Sequence, residues 1–285
     1  MNKYARTMNA SWLSLFILLG LTLVFSIAVQ FAVISIGSLS IYILLVAGTL
    51  GAFLFPSLGL QHLEKYFVYF PHQRQSKAIY LVAGLFLFVC GPVMQLLAKW
   101  NADLSLPSSL QALERWMKAQ EESMALLTEQ VVMVDDLSFL FLNLVVMAVL
   151  PAIAEEFYFR GSLMHIVQRM VQNNHLTVWI TAIVFSAIHL QFYGFFPRLM
   201  LGVFFGYMLV WTQNIWLPVL GHFINNASVT IMAYYYARQG KTYQDLQHYE
   251  TYPIIVYIGS FILTGLLGYW LWRKTGLRYK HMKTL

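Results

Sequence analysis

The feature that most constrains this chain is where its charges are missing. Residues 7–63, 78–98, 137–154, 170–197, 199–237 and 251–272 contain no Asp, Glu, Lys or Arg. A helix that crosses a bilayer needs about 20 mostly apolar residues. The first run is long enough for two such helices, divided at Gly37–Ser38, and the 199–237 run for two more, divided near Asn214. The expected spans are 12–36, 39–60, 78–98, 137–169, 176–192, 197–213, 215–236 and 253–272. Only 11% of the 285 residues are charged and 59% are hydrophobic. That excludes disorder, and a soluble globule of this size could not hide so much apolar surface. Continuous apolar runs also exclude a β-barrel, whose strands alternate. The first run is too long for a signal-peptide core and reads as a retained helix.

The expected fold class is therefore all-α: a polytopic membrane protein of eight transmembrane helices with an additional amphipathic surface helix. With the N-terminus inside, inner segments carry twelve Lys and Arg and outer segments six. The positive-inside rule then places both termini in the cytoplasm of a cell (inner or plasma) membrane. The basic tail Arg273, Lys274, Arg278, Lys280 and Lys283 dominates that count. Contact with anionic headgroups accounts for it, so the bilayer is the expected partner and nucleic acid is not. The 99–136 loop is different, with seven of the twelve acids. Ser108 and Gln111 fit a capping box, and Leu110, Leu113, Met117, Met124, Leu127 and Val131 recur at helical spacing. This predicts an amphipathic helix on the outer surface or packed over the bundle. The expected organisation is residues 1–136 as N-terminal helices plus this loop helix, and 137–285 as a catalytic core, in one integrated bundle.

Ionisable residues inside a span are costly and mark sites. The fourth span, 137–169, holds Glu155, Glu156 and Arg160. Residues four apart share a helical face, so Glu156 and Arg160 pair, while Glu155 points elsewhere without a partner on its own helix. Two adjacent carboxylates in different surroundings can take different roles. The fifth span holds Phe185 and His189 one turn apart, and the seventh His222 and Asn226. At about 1.5 Å per residue, Glu155 and His189 each lie about 21 Å from the cytoplasmic end of their helices, and Asn226 about 18 Å. A carboxylate, two imidazoles and an amide thus reach similar depth. Pro151, one turn before Glu155, frees a backbone carbonyl there.

A carboxylate near a histidine can act as general base toward water, and His and Asn donors can stabilise an oxyanion. That is equipment for amide hydrolysis. Cys90 is alone in an apolar span and inert, Ser186 has no activating neighbour, and neither G-x-S-x-G nor H-E-x-x-H occurs. Glu155, His189 and His222 also make a His₂Glu set, so zinc stays open. The same buried groups suit a non-enzymatic immunity or scaffold protein or a transporter, although no repeated halves are found.

E-E-x-x-x-R, F-x-x-x-H and H-x-x-x-N, in this order on successive apolar segments, resemble the CPBP family. These are the type II CAAX prenyl proteases and Abi-like, bacteriocin-processing intramembrane proteases. The resemblance covers about 151–230. It implies an eight-helix intramembrane endopeptidase, acting on a peptide or protein substrate without an obligatory cofactor. Glu155 would activate water with help from His189, and His222 and Asn226 would form the oxyanion hole. Glu156, Arg160 and Phe185 would support them. A metalloprotease using Glu155, His189 and His222 is the alternative.

Overall fold

The computed structural model describes residues 3–36, 40–248 and 251–276. The described residues are helical, with no strand among them; a lone antiparallel bridge joins His72 to Asn214. In chain order the helices are α1 (Lys3–Ile36), α2 (Ile41–Leu63), α3 (Lys77–Ala102), α4 (Gln111–Val132), α5 (Leu137–Val171), α6 (Asn174–Ala187), α7 (Phe195–Thr212), α8 (Trp216–Arg238), α9 (Tyr243–Gln247) and α10 (Ile254–Leu271). The Gly37–Ser38 division, and Arg278, Lys280 and Lys283 of the tail, lie outside the described residues.

Helices occur in all eight expected spans, but six are long and apolar enough to cross a membrane: α1, α2, α3, α5, α7 and α10. Two fall short for different reasons. α6 runs only from Asn174 to Ala187, fourteen residues, a rise of about 21 Å. α8 has the length, yet His222, Asn225, Asn226 and Ser228 dilute its apolar character. His222 and Asn226 lie on α8, and His189 lies in the turn just past the end of α6. The protein is an integral, multi-pass membrane protein, and its outer helices show why. α1 and α10 are apolar around much of their circumference, with Phe16, Leu23, Phe31, Ile255 and Phe261 exposed. A helix apolar on every side is stable only in lipid or buried.

Two ends can be distinguished. At one, the 64–76 loop meets the α7–α8 turn, with Ile215 N donating to Pro71 O at 2.8 Å and Asn214 Nδ2 to Gln73 O at 2.8 Å. The same end holds a polar knot: Arg169 donates to Ser14 Oγ (2.9 Å) and Tyr69 Oη (3.0 Å), while Ser14 and Tyr69 donate to Glu64. It ties α1, α2 and α5 together. At the other end, Asn101 donates to Phe192 O and accepts from Phe196 N, holding the α6–α7 loop to α3.

α4 covers part of this second end, and two expectations change there. The capping box does not form: Ser108–Leu110 is a 3₁₀ turn, and Leu110 precedes the helix with no side-chain cap. The α4 stripe is also mostly turned outward. Leu110, Leu113, Met124 and Leu127 are exposed and only Val131 is fully buried. α4 rests on its polar flank, where Glu121 accepts from Tyr193 N at 3.4 Å.

α6 and α7 approach closely through Gly202 and Gly206. A Cβ at Gly202 would lie 3.1 Å from Ala182 Cβ, and one at Gly206 3.0 Å from Val178 Cγ1. Small residues four apart let helix backbones meet in a membrane, where dispersion replaces the hydrophobic drive.

Candidate active site

α5 is the spine of the site, and it is not a regular helix. π-turns occupy Leu144–Val149 and Phe157–Leu163, on either side of Leu150–Glu156. Such wide turns are rare and concentrate at functional sites. Pro151 gives one reason. Its ring nitrogen has no hydrogen, so Met147 O loses its ordinary helical donor. Asn226 Nδ2 from α8 takes that place at 3.1 Å. In a bilayer an unmet carbonyl has no water to turn to, so this cross-helix bond joins α5 to α8. Asn226 Oδ1 in turn accepts from Asn225 Nδ2 at 3.2 Å. One amide hydrogen of Asn226 is thus committed to structure.

The two glutamates divide. Glu156 is fully buried, and its Oε1 accepts from Arg160 NH1 at 2.8 Å, one turn along α5. The same oxygen accepts from His222 Nδ1 on α8 at 2.8 Å. Arg160 NH2 also donates to Gly202 O on α7 at 3.2 Å, and its guanidinium lies 4.3 Å over the Phe185 ring. Four helices therefore meet on one ion pair.

Glu155 faces the other way, to groups from α8 and from the turn after α6. Its Oε2 is 3.9 Å from His189 Nε2 and 3.9 Å from His222 Nε2, and that oxygen is buried with no hydrogen-bond partner. The distance exceeds a direct hydrogen bond, and one water can touch both groups across it. Each imidazole is oriented by its other nitrogen. His222 Nδ1–H donates to Glu156, and His189 Nδ1–H donates to Phe185 O at 2.7 Å. In the neutral ring this leaves the Nε2 lone pair toward Glu155. Phe205 stacks on His222 at 5.7 Å and Phe185 sits edge-on to both histidines.

His189 differs from its expected setting. α6 stops at Ala187, short of the 192 expected, so His189 lies in a turn and not on a continuing helix. Leu190 beyond it has φ of +54°, a left-handed conformation that costs a branched residue about 1–2 kcal/mol. The left-handed turn redirects the chain just past His189 toward α7.

Among the described residues no group of three or more His, Cys, Asp and Glu is arranged to hold a metal ion. Two clefts of about 200 Å³ and 460 Å³ lie beside α4, lined by residues such as Asn101, Met117, Phe196 and Glu122, and neither includes Glu155, His189 or His222. Sequence reasoning missed Gly202, Phe205 and the role of Met147. Gly202 and Gly206 left a readable small-residue signature; Phe205 left none, being one aromatic among many.

These observations define a class: a helical multi-pass membrane protein with a buried carboxylate–imidazole centre. The comparisons narrow it. Residues 137–228 match the family described as "Type II CAAX prenyl endopeptidase Rce1-like". That stretch, about a third of the chain, runs from the start of α5 into α8 and holds every site residue named above. The match supports the resemblance of this segment to the CPBP intramembrane proteases. The chain is also 28% identical over 89 residues to the "Uncharacterized protein YpbD" of Bacillus subtilis (strain 168). That alignment covers 30% of this chain and 42% of the other, so less than half of the relative's length is spanned. No solved structure matches.

Proposed function

We propose that this protein is an intramembrane endopeptidase that hydrolyses peptide bonds with a glutamate-activated water. The observation that carries the reading is the approach of two oriented imidazoles to an otherwise unpartnered Glu155 Oε2, at 3.9 Å each. The family match over the same segment supports the peptidase class.

In this reading Glu155 takes a proton from water, and the hydroxide attacks the scissile carbonyl carbon. His189, fixed by Phe185 O, accepts a hydrogen bond from that water and aims it. His222 donates from Nε2 to the developing oxyanion. The Glu156 carboxylate at Nδ1 orients the ring for this, much as an aspartate does in a hydrolase triad. The second amide hydrogen of Asn226 is the further donor on that face. Glu155 then passes its proton to the leaving amine, so the water ends as one hydroxyl on the new acid and one hydrogen on the amine. Arg160 holds the Glu156 carboxylate in place at 2.8 Å, and buried donors in a water-poor site act more strongly than in solution. Phe185 packs Arg160 against both histidines.

The test is cleavage of a peptide library by protein in lipid nanodiscs. Glu155→Ala should abolish turnover while the protein still purifies monodisperse; wild-type turnover in that variant sinks the proposal. Unaltered biological function in Glu155, His189 and His222 single variants would favour a non-enzymatic scaffold. A zinc-dependent version has one observation in its favour: both histidines use their second nitrogen as metal-ligating histidines do. It requires loss of activity with a chelator and recovery with Zn²⁺.

A further inference from the structure

Arg198 is the one charged residue between Arg169 and Arg238, a stretch that includes α6, α7 and most of α8. It stands in the first turn of α7 and shares a helical face with Gly202, four residues on. Gly202 is where α7 touches the Glu156–Arg160 pair, so the same face presents Arg198 one turn nearer the His189 end. Arg198 acts electrostatically on Glu155 and on His189. Yet its hydrogen bonds go to neutral acceptors: NH2 donates to Gln191 Oε1 at 2.7 Å and NH1 to Gln191 O at 3.3 Å. Among the described residues it makes no ion pair, unlike Arg160 and Arg169. Glu121 of α4 and Glu155 lie within its electrostatic field, but neither hydrogen-bonds to it, and one Glu121 oxygen accepts from Tyr193 N at 3.4 Å.

A half-buried guanidinium in a membrane protein is costly without an opposite charge. Two of its five donors are used, and a planar fork suits a carboxylate held by two bonds. It lies one turn from Gly202, where α7 meets Arg160, within electrostatic reach of the two residues that would handle the attacking water. We propose that Arg198 is a specificity-determining residue that anchors a carboxylate of the peptide substrate within a few residues of the scissile bond. This rests on the peptidase reading and adds to it a substrate class: apolar peptides bearing one anionic group. The carboxylate is either the C-terminal one or an acidic side chain.

The experiment measures binding, so that it does not depend on turnover. Glu155→Gln protein in nanodiscs is titrated, by fluorescence anisotropy, against a labelled short apolar peptide. It is used with a free C-terminal carboxylate, as its C-terminal amide, and as the amide with one Asp added. A carboxylate form should bind about tenfold tighter than the neutral amide, the strength of a charge-assisted hydrogen bond. Which of the two gains identifies the source. Adding Arg198→Gln should erase the difference, and Arg198→Lys should keep part of it. Equal binding of all three peptides, or a preference that survives Arg198→Gln, overturns the proposal. So does equal weakening of charged and neutral forms, which would mean Arg198 only holds the Gln191 loop. Failure of the peptidase reading looks different: the carboxylate preference persists while the Arg198- and Glu155-intact protein cleaves none of the peptides.

Discussion

Two adjacent glutamates are separated by what their neighbours ask of them. Glu156 binds both Arg160 and His222 through Oε1, whereas Oε2 of Glu155 has only the two imidazoles near it, at 3.9 Å, and no hydrogen-bond partner among the described residues. Activity and stability should therefore part company between them. Glu155→Gln should lose all turnover with a melting temperature close to the parent's. Glu156→Gln should lower stability by about 3–5 kcal/mol, the cost of leaving a buried Arg160 unpaired, and the combined Glu156→Gln, Arg160→Met should recover part of it. A Glu156→Gln protein that melts like the parent would refute this division. Of this pattern, the i, i+4 spacing made the Glu156–Arg160 pair legible from the chain. That His222 also binds Glu156 was not, because it depends on the rotation of α8 against α5.

At the scale of elements, α5 combines a proline, two π-turns and a bond borrowed from α8. Pro151 was readable as the cause of a freed carbonyl; the identity of its new donor was not. Asn226→Ala should strip Met147 O of its partner and cost about 1–3 kcal/mol. Restoring a backbone N–H with Pro151→Ala should make that loss smaller, so the double variant should be more stable than simple addition of the two effects. Strict additivity in thermal melts would argue against the link. The α6–α7 contact gives a second test. Gly202→Ala brings a methyl to 3.1 Å from Ala182 Cβ and 3.2 Å from Arg160 NH2. Overpacking of this kind costs about 1–3 kcal/mol, and displacement of Arg160 should lower kcat as well. Gly265, with open space around it, is the control, since Gly265→Ala should be neutral.

For the whole molecule, the polar knot at the end away from α4 sets an alkaline limit. Burial pushes the Tyr69 phenol up to about 12, with Glu64 adding to the rise and Arg169 opposing it. A folded value above the unfolded one, about 10, means the neutral phenol is preferred in the native state. The stabilisation is thus whole below about pH 10 and is lost as pH rises toward 12. Thermal melts across that interval should fall more steeply for the parent than for Tyr69→Phe; parallel curves would remove Tyr69 as the cause. Orientation is open to a separate check. Reporters placed in the 64–76 loop should be cytoplasmic and those in the 99–136 loop outside, and the reverse result would overturn the positive-inside assignment.

The amino-acid sequence alone determined the class of the molecule, the positions of its helices and the residues at which charge enters the membrane. It could do so because lipid enforces one rule on every residue: charges and unmet backbone groups must be few and accounted for. It misplaced the end of α6 and the face on which α4 rests. Local propensity says nothing of a strained Leu190, nor of a stripe left outward because the helix packs through its polar side. Tertiary structure alone decided which glutamate His222 Nδ1 meets and which meets the two imidazole Nε2 atoms. Those are matters of helix rotation, π-turn and rotamer, where a shift of an ångström separates an ion pair from a site for water.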